Sequence, residues 1–204
     1  MIYYEAIFVV VLYLLYFTLW KVKKANLKRT SGIDPDVMGK STSNVQKFMG
    51  QLTIFITIYA TIIVILHSVN FQFASMFSRF VPLETFYFNI IGFVLGLAGL
   101  SLCLYAQIKM NNSWRVGIDE NVKTELVTTG LYRYIRNPTY LGLFILNFGI
   151  WIIWPTWTIF LLNLLFVMFL EIQVRCEEDF LYKVHGEKYI EYKKKTKRYI
   201  PFLY

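Results

Sequence analysis

The sequence predicts an all-α integral membrane protein of about five transmembrane helices, the last two a short hairpin, with a helical cap at its cytoplasmic C-terminal end. Three observations predict it. Of the 204 residues, 56% are hydrophobic and only 17% charged, and the charges cluster. Residues 2–20, 48–67, 86–107, 139–154 and 156–172 are apolar. The first three match the roughly 20 helical residues that cross a bilayer core, and the last two are short. Finally, an odd number of spans puts all of the Lys and Arg residues on one side except Arg79. The positive-inside rule makes that side cytoplasmic, with the N-terminus outside and the C-terminus inside. Topology thereby accounts for the net charge of +8 and argues against a nucleic-acid partner.

The first helix has no basic leader and no small-residue cleavage site, which predicts a retained span rather than a signal peptide. Lys21, Lys23 and Lys24 are expected to stop it at the cytoplasmic surface. Gly32, Pro35 and Gly39 mark a loop, and the Ser41 to Asn44 run supplies caps for the second helix. The outer connection carries Phe71, Phe73, Phe77 and Phe80, rings suited to the membrane interface. Gly92, Gly96 and Gly99 predict close helix packing within the chain. Trp154, Pro155, Thr156 and Trp157 make a tight outer turn between the last two spans. Residues 174–192 have helical character, ending or bending at His185 and Gly186. Cys103 inside a span and Cys176 on the cytoplasmic side are not expected to form a disulfide. The chain divides into residues 1–85, the first two helices and their loops, and residues 86–204, which carry most of the polar pattern.

Chemistry concentrates in two cytoplasmic stretches, 114–140 and 175–201. Asn137 and Pro138 read as the N-cap and N1 of a transmembrane helix. That pattern suits either a capped helix anchored by Arg133 and Arg136, or a helix N-terminus that holds an anionic group. Glu177 and Glu178 point about 100° apart on a helix, so only one can face a given pocket. The alternatives for this pair are solvation near the surface or a grip on an ammonium group. His185 reads as a helix-end residue and His67 as structural. No metal cluster, Ser-His-Asp signature or G-x-G-x-x-G is visible, so no metal is expected.

Gly130, Tyr132, Arg136, Asn137, Pro138, Tyr140 and Gly142 follow the pattern G-x-Y-x-x-x-R-[HN]-P-x-Y-x-G. It resembles the motif of the isoprenylcysteine carboxyl methyltransferases and the related phospholipid methyltransferases. Glu177, Glu178, Gly186, Tyr189, Tyr192 and Pro201 resemble that family's closing pattern. The likeness covers residues 86–204. It implies an enzyme that takes S-adenosylmethionine in a cytoplasmic pocket and methylates a lipid-soluble acceptor drawn from the membrane lipids. Carried over by position, Leu126, Val127 and Tyr132 line the cofactor pocket. Asn137, Pro138, Thr139 and Tyr140 hold the methionine end and ribose, and Glu177 holds the amino group. The family's substrate-side arginine falls on Gln173, and Arg175 nearby is the expected stand-in that positions an anionic acceptor. Glu178, with Glu171 and His185, is a candidate base for an amine acceptor. Asn137 replaces the histidine of eukaryotic members, and His185 a usual phenylalanine.

The acceptor stays open among prenylcysteine, phospholipid headgroup, small thiol and quinone-like lipid. An alternative is an NADPH-dependent sterol-type membrane reductase, whose closing pattern the final Ile200, Pro201 and Tyr204 also approach. Glu177 and Glu178 in place of that group's Arg-Asp pair argue against it, as does the Trp114 to Gly117 stretch, which looks more like bacterial methyltransferases. A transporter is disfavoured because the spans hold few polar residues and no repeat. The expected location is the plasma (inner) membrane in a prokaryote and the endoplasmic reticulum in a eukaryote.

Overall fold

The computed structural model describes residues 4–32, 34–69, 77–120 and 122–201. Among these, six α-helices form: α1 Tyr4–Ser31, α2 Asn44–Ser68, α3 Phe86–Met110, α4 Pro138–Ile153, α5 Trp157–His185 and α6 Glu187–Lys195. Four of the helices, α1, α2, α3 and α5, are long and apolar enough to cross a membrane, and α4 is a shorter apolar helix of 16 residues. Their outward faces carry bare apolar side chains such as Phe48, Ile54, Phe55 and Val94, as lipid-facing surfaces do. Phe71, Phe73 and Tyr204 lie outside the described residues.

Two boundaries differ from the sequence expectation. The lysines at 21–24 do not end α1, which runs on to Ser31. Lys, Ala and Leu are good helix formers, and long basic side chains reach the polar surface without breaking the helix. The last helix is likewise not the short arm of a hairpin. With no Gly or Pro between Trp157 and His185, the apolar span and the polar 174–185 stretch form one helix of 29 residues. Only α4 is short. The α5 helix stops at Gly186, where φ is +54°, a conformation costly for any residue with a Cβ. The chain then turns into α6.

The tightest packing is between α3 and α4. Gly92 and Gly99 are seven residues apart on one helix, and Gly142 and Gly149 seven apart on the other. Antiparallel docking matches them. A Cβ on Gly92 would stand 2.6 Å from the Gly149 carbonyl oxygen, and one on Gly99 2.5 Å from that of Gly142. The glycines therefore serve packing within the chain, the backbones approaching as lipid-embedded helices do. Gly96 faces α1 instead, receiving Leu12. Val9, Leu12, Met49 and Ile56 share one buried core with Leu143 and Phe169, so α1 and α2 are continuous with the rest.

At the end remote from the basic residues, Arg79 pairs with Glu5 at 2.8 Å and Glu84 at 3.3 Å. His67 bonds Thr156 and Thr158 across the α4–α5 turn and packs on Trp154 and Phe77, a structural role. Cys103 and Cys176 are both free thiols. At the basic end, residues 196–199 lie as a strap beside residues 134–137. The Arg136 N–H donates to the Lys197 carbonyl at 2.8 Å and the Asn137 N–H to that of Arg198 at 3.1 Å.

Candidate active site

Asn137 stands at the N-cap position of α4 without a side-chain capping bond, its side-chain amide donating to Glu178 at 3.4 Å, and Pro138 occupies the first turn, where a missing N–H costs nothing. That start places Thr139 and Tyr140 in the first turn, whose N–H groups have no carbonyl within the helix to bond. Facing them from α5 is Glu177. Its Oε1 accepts from the Tyr140 hydroxyl at 2.5 Å and the Gln173 amide at 3.1 Å. Oε2 takes part in no hydrogen bond among the described residues.

Around this centre lie two chambers that share Met110, Thr139, Tyr140 and Glu177 as a common wall. The first, about 100 Å³, is bounded by the 124–127 segment, Tyr132, Asn137, Leu181, Tyr189 and Tyr192. The second, about 160 Å³, has more hydrophobic residues in its wall, Trp20, Met38, Leu143, Phe169 and Leu170 among them, together with Arg115 and Gln173. It shares Tyr16, Ile56, Thr57 and Phe166 with a further apolar groove that reaches Asn147, Leu162 and Asn163.

Seven of the sequence candidates, Leu126, Val127, Tyr132, Asn137, Thr139, Tyr140 and Glu177, line the first chamber together. Pro138 does not line it and acts through the helix start. The Asn137 N–H is spent on the strap, so only the next N–H groups remain for an anion. Burial pushes the Tyr132, Tyr189 and Tyr192 hydroxyls well above the ordinary tyrosine range, which keeps them neutral. Tyr192 donates to the Tyr132 carbonyl at 2.7 Å, tying α6 to the pocket. The Tyr189 hydroxyl is buried and has no hydrogen-bond partner among the described residues.

Two candidates are placed elsewhere. Arg175 lines neither chamber: its side chain is 59% exposed and pairs with Glu171 at 3.3 Å. It follows Gln173 by two positions, about 200° around the helix, and so points away from the cavity. Glu178 turns to the strap. It binds Arg136 at 3.0 Å, Arg198 at 2.9 Å and Lys193 at 3.8 Å, with its side chain 5% exposed. That arrangement is an ion-pair lock rather than a base open to substrate. Sequence reasoning missed Gln46 on α2, which bonds Gln173. It also missed Arg115, the basic residue that does line the second chamber, paired with Asp119 at 3.3 Å. Among the described residues, no group of three or more His, Cys, Asp or Glu side chains is placed to hold a metal ion.

The chain is similar to known proteins. A family model described as phospholipid methyltransferase matches residues 87–188, from α3 to the start of α6. The protein-S-isoprenylcysteine O-methyltransferase of Schizosaccharomyces pombe is 34% identical over 79 residues, 38% of this chain and 34% of the relative. That of Xenopus laevis is 30% identical over 127 residues, 56% of this chain and 41% of the relative. The methanethiol S-methyltransferase of Crocosphaera subtropica is 30% identical over 80 residues, 37% of this chain and 29% of the relative. The matches thus span less than half the length of each curated relative. The solved structure of the eukaryotic intramembrane Ras methyltransferase, isoprenylcysteine carboxyl methyltransferase, superposes with a TM-score of 0.52 at 21% identity, over 80% of this chain and 54% of that one. That likeness shows the fold. With the family model running across half of its length, the chain belongs to the phospholipid methyltransferase family.

Proposed function

We propose that the protein transfers a methyl group from S-adenosylmethionine to a lipid-soluble acceptor, at the basic end of its helix bundle and facing the cytoplasm. The observation that carries this reading is the shared wall: Thr139, Tyr140 and Glu177 line both chambers. A polar cofactor and an apolar acceptor then meet at one place without crossing the protein.

The cofactor supplies a methyl group already activated on a sulfonium sulfur. What the protein must add is alignment of nucleophile, methyl and sulfur within about 3 Å, an orientation problem. The Glu177 Oε2 is free to take an ammonium group. The first-turn N–H groups of Thr139 and Tyr140, reinforced by the helix dipole, suit a carboxylate. Leu126, Val127 and Tyr132 offer an apolar and aromatic bed for a purine. The α6 helix closes one side of this chamber through Tyr189 and Tyr192.

The acceptor side favours a long chain. From Glu177 to Leu162 the connected apolar space follows α5 for about 22 Å at 1.5 Å per residue. This length suits an isoprenyl or similar tail with its reactive head at Glu177, as in a prenylcysteine carboxylate or a related lipid. Arg115, rather than Arg175, is the cation that such an anionic head would meet. The organelle follows the source: plasma (inner) membrane in a prokaryote, endoplasmic reticulum in a eukaryote.

The test is to incubate detergent-purified protein with S-adenosylmethionine carrying a tritiated methyl group, together with an S-isoprenylcysteine or a membrane lipid extract. Label transferred to the lipid phase, and lost with Glu177→Ala, supports the reading. No transfer to any lipid, with NADPH bound instead of S-adenosylhomocysteine, contradicts it.

A further inference from the structure

We infer that Gln46 and Gln173 are positioning residues for Glu177, so that α2, which lies outside the matched family segment, helps to build the cofactor site. This rests on the reading of Glu177 as the group that takes the cofactor's ammonium. Both glutamines are 2% exposed. They form a reciprocal amide pair, Gln46 Nε2 to Gln173 Oε1 at 3.2 Å and Gln173 Nε2 to Gln46 Oε1 at 3.4 Å. Gln173 Nε2 also donates to Glu177 Oε1 at 3.1 Å. The Ile118 backbone N–H donates to Gln46 Oε1 at 3.4 Å.

The direction of this relay is what matters. A side-chain amide can turn over and exchange its donor for its acceptor, whereas a backbone N–H can only donate. Ile118 therefore fixes Gln46 with its oxygen inward. Gln46 Nε2 then holds the Gln173 oxygen, which leaves Gln173 Nε2 for the carboxylate. Without Gln46, the Gln173 amide is ordered by the carboxylate alone and can turn away from it, so that its bond to Glu177 Oε1 is no longer held in place. With the relay intact, Tyr140 and Gln173 both bind Oε1 of Glu177. The carboxylate is held by one oxygen and presents the other to the chamber. The relay acts on a ligand through its ammonium group and is silent toward a ligand that lacks one.

That distinction supplies the test. S-adenosylhomocysteine carries the amino-acid moiety, and 5′-methylthioadenosine is the same thioether nucleoside without it. Both would be titrated calorimetrically into purified wild type, Gln46→Met and Gln173→Met, changes that keep volume and helix propensity. The expected result is about ten-fold weaker binding of S-adenosylhomocysteine in each variant, the scale of a lost hydrogen bond to a charged group. Binding of 5′-methylthioadenosine stays within about two-fold of wild type, inside the scatter of a site left intact. Equal weakening of both ligands would mean that the pair only packs α2 against α5, and it would overturn the inference. Unchanged binding of both would overturn it too. A wild type that binds 5′-methylthioadenosine but gains nothing from the amino-acid moiety would instead remove the role of Glu177 on which the inference stands.

Discussion

Glu177 and Glu178 are neighbours on α5 yet belong to different regions of the molecule. Glu177 faces the cavity, held through one oxygen by Tyr140 and Gln173. Glu178 faces the strap, saturated by Arg136 and Arg198 with Lys193 beyond. The same side chain on the same helix turn thus serves two ends, and the difference lies in the neighbours. Neutral donors leave a carboxylate with charge to offer a ligand. Cations consume it and turn it into a fastening for the strap beside residues 134–137.

Substitutions at four positions test this contrast and the packing around it. The largest expected loss of stability is in Glu178→Ala, which takes from the largely buried Arg136 its carboxylate partner and from Arg198 its 2.9 Å ion pair. It should cost about 3 kcal/mol, read as a lower midpoint of thermal unfolding in detergent. Glu177→Ala removes no cation's partner, so its midpoint should barely move. Its S-adenosylhomocysteine affinity should fall about 100-fold, roughly 2.7 kcal/mol. Gly99→Ala tests the α3–α4 seam, away from either carboxylate. A Cβ 2.5 Å from a backbone oxygen cannot be relieved by a rotamer change, so about 2 kcal/mol of stability should go. Arg175→Ala is the smallest. An exposed i,i+4 pair with Glu171 contributes on the order of 0.3 kcal/mol, and turnover and acceptor affinity should be unchanged.

Much of this contrast was legible in the sequence, and the part that was not has physical causes. The apolar runs marked the spans, Asn137 and Pro138 marked the start of α4, and Gly186 marked the break before α6. The cofactor candidates came together because the family likeness placed them and a single chamber gathers them. The length of α5 was hidden because the composition turns polar midway, although nothing in that stretch breaks a helix. The outward turn of Arg175 was readable from helix geometry alone, since it stands two residues before Glu177. The Gln46 contact was not readable, because its partner is 127 residues away and local pattern says nothing about which helix faces which. The strap was hidden for the same reason. Its backbone bonds to Arg136 and Asn137 join segments far apart in the chain, with no side-chain periodicity to announce them.

The central claim is that Glu177, and not Glu178, meets the cofactor. Calorimetric titration of S-adenosylhomocysteine into the detergent-purified wild type, Glu177→Gln and Glu178→Gln tests it most directly. The expected result is binding by wild type, nearly full loss in Glu177→Gln, and wild-type affinity in whatever fraction of Glu178→Gln remains folded. Equal affinity in wild type and Glu177→Gln, or loss confined to folded Glu178→Gln, would contradict the account.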